Sequence, residues 1–234
     1  MAFETKFTQE ELLGTARRTE KMWQKEDAIF EDACESPIEE IFAREYSKYL
    51  DSGVSFDCQV EVSTRHERFR VDFVLSHAGE RIAIECDGRD FHNPLRDELR
   101  DAILLGEGHF TTVYHFRGRD ITYYPEDCLW LMSLEYPALF SERGRHQLDR
   151  LHKLEVVPIL SGRESLILRN PTEPRSMVWV FRRNIHQKSS PNPHWPYWRA
   201  LYEFASQHPR VSLDHLLILW QRRFRKEAQS CPEV

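Results

Sequence analysis

Between Lys48 and Lys153 this chain of 234 residues contains no lysine. Every positive charge in that span is therefore an arginine or a protonated histidine, and no lysine amine can orient water or offset charge there. The five cysteines, Cys34, Cys58, Cys86, Cys128 and Cys231, include no Cys-x-x-Cys pair, and their number is odd. Zinc-site spacing is thus absent, and reduced, packed thiols are expected. No apolar run approaches the length needed to cross a bilayer, and Met1 to Lys6 does not open a basic segment followed by an apolar one. A cytoplasmic protein with no membrane partner is expected. Internal repeats and long low-complexity segments are missing too.

What is present is a soluble composition, 41% hydrophobic and 30% charged. The length supports one large domain, or one domain with an appendage. The formal charge of −6 conceals a division: residues 1–142 carry 16 Lys and Arg against 30 Asp and Glu, whereas residues 143–234 carry 16 against 8. The first part reads as a carboxylate-bearing body and the second as a surface for a polyanion, or simply as a solvated face. Aromatic and basic residues interleave in the last third: Trp179, Phe181, Arg182 and Arg183, then Trp195, Tyr197, Trp198 and Arg199, then Trp220, Arg222, Arg223 and Phe224. Arginines suit phosphates and aromatic faces stack on bases, so Arg182, Arg183, Arg222 and Arg223 are candidate nucleic-acid contacts. At helical spacing, Trp220 and Phe224 equally suit a core.

The densest chemistry lies between Arg68 and Arg100. Two β-rich runs, Arg68–Leu75 and Arg81–Gly88, flank a polar bend containing Gly79, which predicts an antiparallel hairpin. Alternation puts Glu85 and Asp87 on one face, opposite Ile84 and Cys86, and turns Asp72 away from Val71 and Phe73. Three carboxylates can thus converge at one end of a small sheet. They repel one another unless a cation neutralises them, and all-oxygen ligation selects a hard ion, Mg²⁺ or Mn²⁺.

Around that centre, Thr8 caps a leading helix that runs to about Ala33. Ser36-Pro37-Ile38-Glu39 opens a second, with Ile38, Ile41, Phe42, Tyr46 and Tyr49 on its apolar face. Phe56–Ser63 alternates as a first strand. Asn93-Pro94 starts a helix to about Gly106 that buries Leu95, Leu99, Ala102 and Ile103, and this crossover brings Phe110–Phe116 in parallel to an inner strand. Tyr124 to about Leu154 reads as helical with a break near Pro137. Then come a hairpin around 161–164, a strand at Met177–Phe181, a loop over 187–194, and helices from Trp195 to about Gln207 and from Leu213 to Lys226. The expected organisation is a helical segment over 1–34, an α/β core with its following helices over 35–153, and a smaller basic α+β portion over 154–234.

Ser36-Pro37-Ile38-Glu39, the Asp72 and Glu85-x-Asp87 strands, Asp87-Gly88-x-x-x-His92 and Asp97-x-x-Arg100, in this order and spacing, resemble the PD-(D/E)XK nuclease superfamily. The likeness is in particular to the DUF559 branch, which is similar to the very-short-patch-repair endonucleases, and it covers residues 35–121. It implies a restriction-endonuclease-like mixed β-sheet flanked by helices. It also implies a metal-dependent endonuclease that cuts DNA to leave 5′-phosphate and 3′-hydroxyl ends, with RNA as an open alternative. By the same resemblance Asp72 and Glu85 hold Mg²⁺ or Mn²⁺, the Cys86 carbonyl adds a ligand, and Arg100 faces phosphate or the acidic site; Arg89 and Arg100 are further candidate nucleic-acid contacts.

Glu39 is either the helix acid of such a site or the closing residue of its own capping box. The position two after Glu85 is usually lysine in this superfamily and is Asp87 here, either a further metal ligand or the residue that orients His92. His92 stands where the very-short-patch-repair enzymes carry a functional histidine, and an imidazole can pass a proton near neutral pH. The rival reading is a nuclease-fold module that holds nucleic acid, a partner protein or a second copy of itself without cutting.

Overall fold

A computed structural model of the chain describes residues 34–88, 93–152, 155–157, 165–169, 176–183 and 195–230. The expected leading helix, the 187–194 loop, Arg89 and His92 lie outside the described residues.

Helix α1 (Pro37–Ser47) begins where local preferences put it. The Ser36 side chain accepts the Glu39 N–H, Pro37 sits in the first turn where its missing N–H has no partner to lose, and Glu39 and Glu40 complement the positive helix end. Its inner face buries Phe42, Ala43 and Tyr46. Strands β1 (Ser55–Ser63), β2 (Arg68–His77) and β3 (Glu80–Asp87) follow as an antiparallel meander. The turn between β2 and β3 is Ala78-Gly79, both left-handed with φ of 49° and 86°. Two left-handed residues match the twist of paired strands, which pins the register of this hairpin.

Helix α2 (Pro94–Gly106), capped by Asn93, crosses back so that β4 (Thr112–Arg117) lies parallel to β3, with Glu85 opposite His115 and Asp87 opposite Arg117. The strand starts two residues later than the alternation suggests, because Phe110 is buried ahead of it instead of pairing within it. The result is an α/β domain whose four-stranded mixed sheet carries flanking helices. On the far side of β4 lies β7 (Ser176–Arg183), antiparallel to it, followed by β6 (Ser165–Arg169) and β5 (Glu155–Val157), so the full order is β1-β2-β3-β4-β7-β6-β5. Strands β5, β6 and β7, all beyond residue 154, therefore continue the same sheet.

Two hydrophobic clusters fill the two faces. On one, α1 with α3 (Gly118–Tyr123), α4 (Pro125–Glu135) and α5 (Glu142–Leu151) covers Phe73, Ile82, Ile84, Cys86 and Phe116. Phe42 makes ring contacts with Tyr46, Phe73 and Phe116 at centroid distances of 5.4–5.9 Å there. On the other, α2 with α6 (Trp195–Ser206) and α7 (Leu213–Ser230) covers Val74, Ala83 and Val113 through Leu99, Ile103, Leu201, Leu213 and Leu216. Trp198 and Trp220 belong to this second core, each 4% exposed, so neither is a platform for bases. Gly106 ends α2 beneath the ring of Tyr202, where an added Cβ would fall 2.2 Å from a ring carbon. Cys34, Cys58, Cys86 and Cys128 are free thiols. Among the described residues no helix is long and apolar enough to cross a membrane.

Candidate functional site

Because Ile82, Ile84 and Cys86 enter the aromatic core, the alternation of β3 turns Ala83, Glu85 and Asp87 toward α2. Glu85 is 7% exposed, and the Arg100 guanidinium from α2 lies against its carboxylate. The β2–β3 ladder runs from His77 and Glu80 to Phe73 and Ile84 and stops. Where the next rung would join Asp72 to Glu85, the Asp72 side chain takes over, its Oδ2 accepting the Cys86 N–H at 2.8 Å. Burial pushes the Asp72 carboxyl above its ordinary range, the Cys86 N–H pulls it back, the charge of Glu39 raises it, Arg100 lowers it, and Asp87 raises it again.

Glu39 reaches this end of the sheet from α1. One carboxylate oxygen accepts from Ser36 Oγ at 2.6 Å, and the other from the Glu35 N–H at 2.9 Å and Gln59 Nε2 at 2.7 Å. One side chain thus closes the helix cap and also stands close enough to Asp72 to raise its pKa. Gln59 itself is left-handed, φ 49°, at the gap in the β1–β2 register that faces Asp72, between the Cys58–Phe73 and Val60–Val71 pairs. A side-chain-bearing residue held there costs on the order of 1 kcal/mol or more, and such strain collects at functional sites.

Asp87, at the end of β3, holds both carboxylate oxygens 3.3 Å from Nδ1 of His115, and Nε2 of His115 lies 2.9 Å from Oδ2 of Asp101. Asp101 follows Arg100 on α2 and is wholly buried. Burial alone would lower the His115 pKa, but the charge and hydrogen bond of Asp101, with those of Asp87 behind them, raise it to about 9. Sequence reasoning missed both residues. His115 sits inside an apolar strand, and the one sequence signal for Asp101 is that it directly precedes the apolar run Ala102–Leu105.

The fold thus brings Glu39, Asp72, Glu85, Asp87 and Arg100 to one end of the sheet, each already engaged. Among the described residues, no three His, Cys, Asp or Glu side chains are gathered as the ligands of a metal ion are. Arg182 and Arg183 are placed elsewhere: on β7 they pair with Val113 and Thr112. Val113 is four residues from Arg117, the partner of Asp87, which is about 13 Å along an extended strand. Arg222 and Arg223 are exposed on α7. The chain matches no family model, no curated protein and no solved structure.

Proposed function

We propose that the chain is a divalent-metal-dependent endonuclease acting on DNA, built on a restriction-endonuclease-like core. One observation carries this reading. Five carboxylates, Glu39, Asp72, Glu85, Asp87 and Asp101, share one end of the sheet, where Arg100 and His115 pair with them while Arg117, opposite Asp87, pairs with Asp120 instead. Burial raises the Asp72 pKa most, and the charges of Glu39 and Asp87 add to it; a buried excess of negative charge is what a bound cation offsets.

An all-oxygen donor set of this charge fits Mg²⁺ or Mn²⁺. Asp72, Glu85 and Asp87 would hold the ion, with the Cys86 carbonyl as a further ligand. Bound there, it would lower the pKa of a water and neutralise phosphate charge. The remaining work falls to the chain. Arg100 stands beside Glu85, and its buried Nε has no hydrogen-bond partner among the described residues, which suits an incoming phosphate oxygen. Glu39 is held rigid by three donors and fixes negative charge next to Asp72. His92, close in sequence to Asp87, is the proposed carrier of the proton.

A second reading has its own observation. Arg100 already neutralises Glu85, and no three potential ligands converge among the described residues, as suits a nuclease-fold module that binds without cutting. The separating experiment incubates the chain with supercoiled, linear, mismatched and single-stranded DNA, and with RNA, in Mg²⁺ or Mn²⁺. Metal-dependent cleavage that vanishes in EDTA and in Asp72→Ala supports the enzyme; binding without cleavage by the wild-type chain supports the module. His92→Ala is expected to slow cleavage by roughly two to four orders of magnitude, the worth of general acid–base catalysis. A near-normal rate would remove His92 from the mechanism.

A further inference from the structure

The geometry points to Asp101 and His115 as a positioning pair that fixes the carboxylate of Asp87 toward the site, an inference that rests on the nuclease reading. Asp87 ends its strand with its side chain about a quarter exposed, so part of its carboxylate can turn to water unless a polar partner holds it. That partner is His115, whose Nδ1 is equidistant from both Asp87 oxygens at 3.3 Å. The imidazole is itself placed from two directions. Its strand register sets it directly beside Glu85, and its Nε2 is anchored at 2.9 Å by Asp101.

Asp101 is 0% exposed on the inner side of α2, next to Arg100. Burying a carboxylate without partners is costly, so a residue in that place needs a use that offsets its desolvation. Its contact with His115 supplies one. A single turn of α2 then sends two consecutive side chains into the site: Arg100 to Glu85, and Asp101 through His115 to Asp87. Neither Asp101 nor His115 need touch substrate. Their work is to keep Asp87 facing the other carboxylates instead of turning out to water.

The test uses the full chain. Cleavage of supercoiled DNA in Mn²⁺ and thermal melting are measured for Asp87→Asn, Asp101→Asn, the double variant, His115→Asn and His115→Gln. An asparagine amide reaches roughly where Nδ1 lies and a glutamine amide where Nε2 lies. His115→Asn therefore keeps the bond to Asp87, and His115→Gln keeps the one to Asp101. The pair predicts that Asp101→Asn lowers kcat roughly ten- to hundredfold while KM for DNA stays within about twofold, the effect expected of a residue that orients a ligand from behind. It also predicts that His115→Asn retains more activity than His115→Gln. The melting shifts of Asp87→Asn and Asp101→Asn should be non-additive, because one imidazole joins them. Equal losses in the two His115 variants, additive melting shifts, or full kcat in a folded Asp101→Asn would each overturn the proposal. If the wild-type chain cuts no nucleic acid, the nuclease reading fails on its own, and the melting cycle still decides whether the pair holds Asp87.

Discussion

On one side of β3, Ile84 and Cys86 are enclosed by Phe42, Phe73, Phe116 and Ile121; on the other, Glu85 and Asp87 are met by Arg100 and His115. The first side stabilises the fold by removing apolar surface from water, and each large side chain there contributes about 1.5–3 kcal/mol. On the second side that yield stops at Ala83, and Glu85 and Asp87 beyond it bring none. A buried ion pair roughly breaks even against apolar residues of the same volume, and unpaired excess charge is a net loss. The same strand therefore holds the molecule together on one face and carries on the other a set of acids that stability does not explain. That contrast is the physical reason to look for chemistry at Asp72, Glu85 and Asp87.

The sharpest way to break this contrast uses the neighbours Asp72 and Phe73, which point to opposite faces. Asp72→Asn is expected to lower cleavage by roughly three orders of magnitude or more, since it removes a proposed metal-holding charge, and to leave the fold intact. Phe73→Ala is expected to cost about 3–5 kcal/mol of stability through the cavity it leaves, with the rate per folded molecule unchanged. Rates normalised to the folded fraction from denaturant melts check both. Equal damage to both properties in both variants would mean that the faces are not divided in this way.

Next in size is Arg100→Met. With Glu85 left buried and uncompensated, stability in EDTA should fall by about 3–5 kcal/mol. Millimolar Mg²⁺ should then restore part of that loss, because an ion that binds only the folded state stabilises it by mass action. A melting temperature indifferent to Mg²⁺ would argue that Glu85 holds no metal even when freed.

The smallest expected effect is a pH dependence. The folded-state pKa of His115 is raised from its ordinary 6.5 to about 9, so the folded state binds more protons than the unfolded state between those values. Its contribution to stability is complete below about 6.5 and is lost as pH rises through about 9. Unfolding free energies measured in EDTA should decline across that window, and His115→Gln should flatten the decline. An identical profile in the variant would place the titrating group elsewhere.

Much of the frame was legible because it rests on short-range preferences. Ser36 as cap with Pro37 behind it, the Gly79 turn, Asn93 with Pro94, and the alternation that separates Glu85 and Asp87 from Ile84 each involve only a few neighbouring residues. Apart from Arg100, which the resemblance turned toward phosphate or the acidic site, the partners of the carboxylates were not legible. Alternation says that Asp87 leaves the apolar face but not that His115, opposite Glu85 on the next strand, reaches its carboxylate. That meeting depends on the parallel register of β3 and β4, and the Asp101 contact behind it on how Leu99, Ala102 and Ile103 seat α2 on Ala83 and Val113. Likewise the sequence pattern separates residues 154–234 as a basic portion, while Trp198, Leu213 and Trp220 turn out to complete a core begun by α2. A Trp at helical spacing looks the same whether it faces a base or another helix.

The pairing of β4 with β7 has a consequence during synthesis. After Arg117 emerges from the ribosome, roughly sixty further residues must emerge before Ser176 begins the strand that pairs with β4. At bacterial or eukaryotic elongation speeds this interval lasts several seconds, during which one edge of a hydrophobic parallel pair has its N–H and C=O groups bonded only to water and open to another strand. Nascent chains at this stage are natural clients for chaperones. A product cut short before Ser176 is expected to aggregate as its concentration rises, although it already contains every carboxylate of the site.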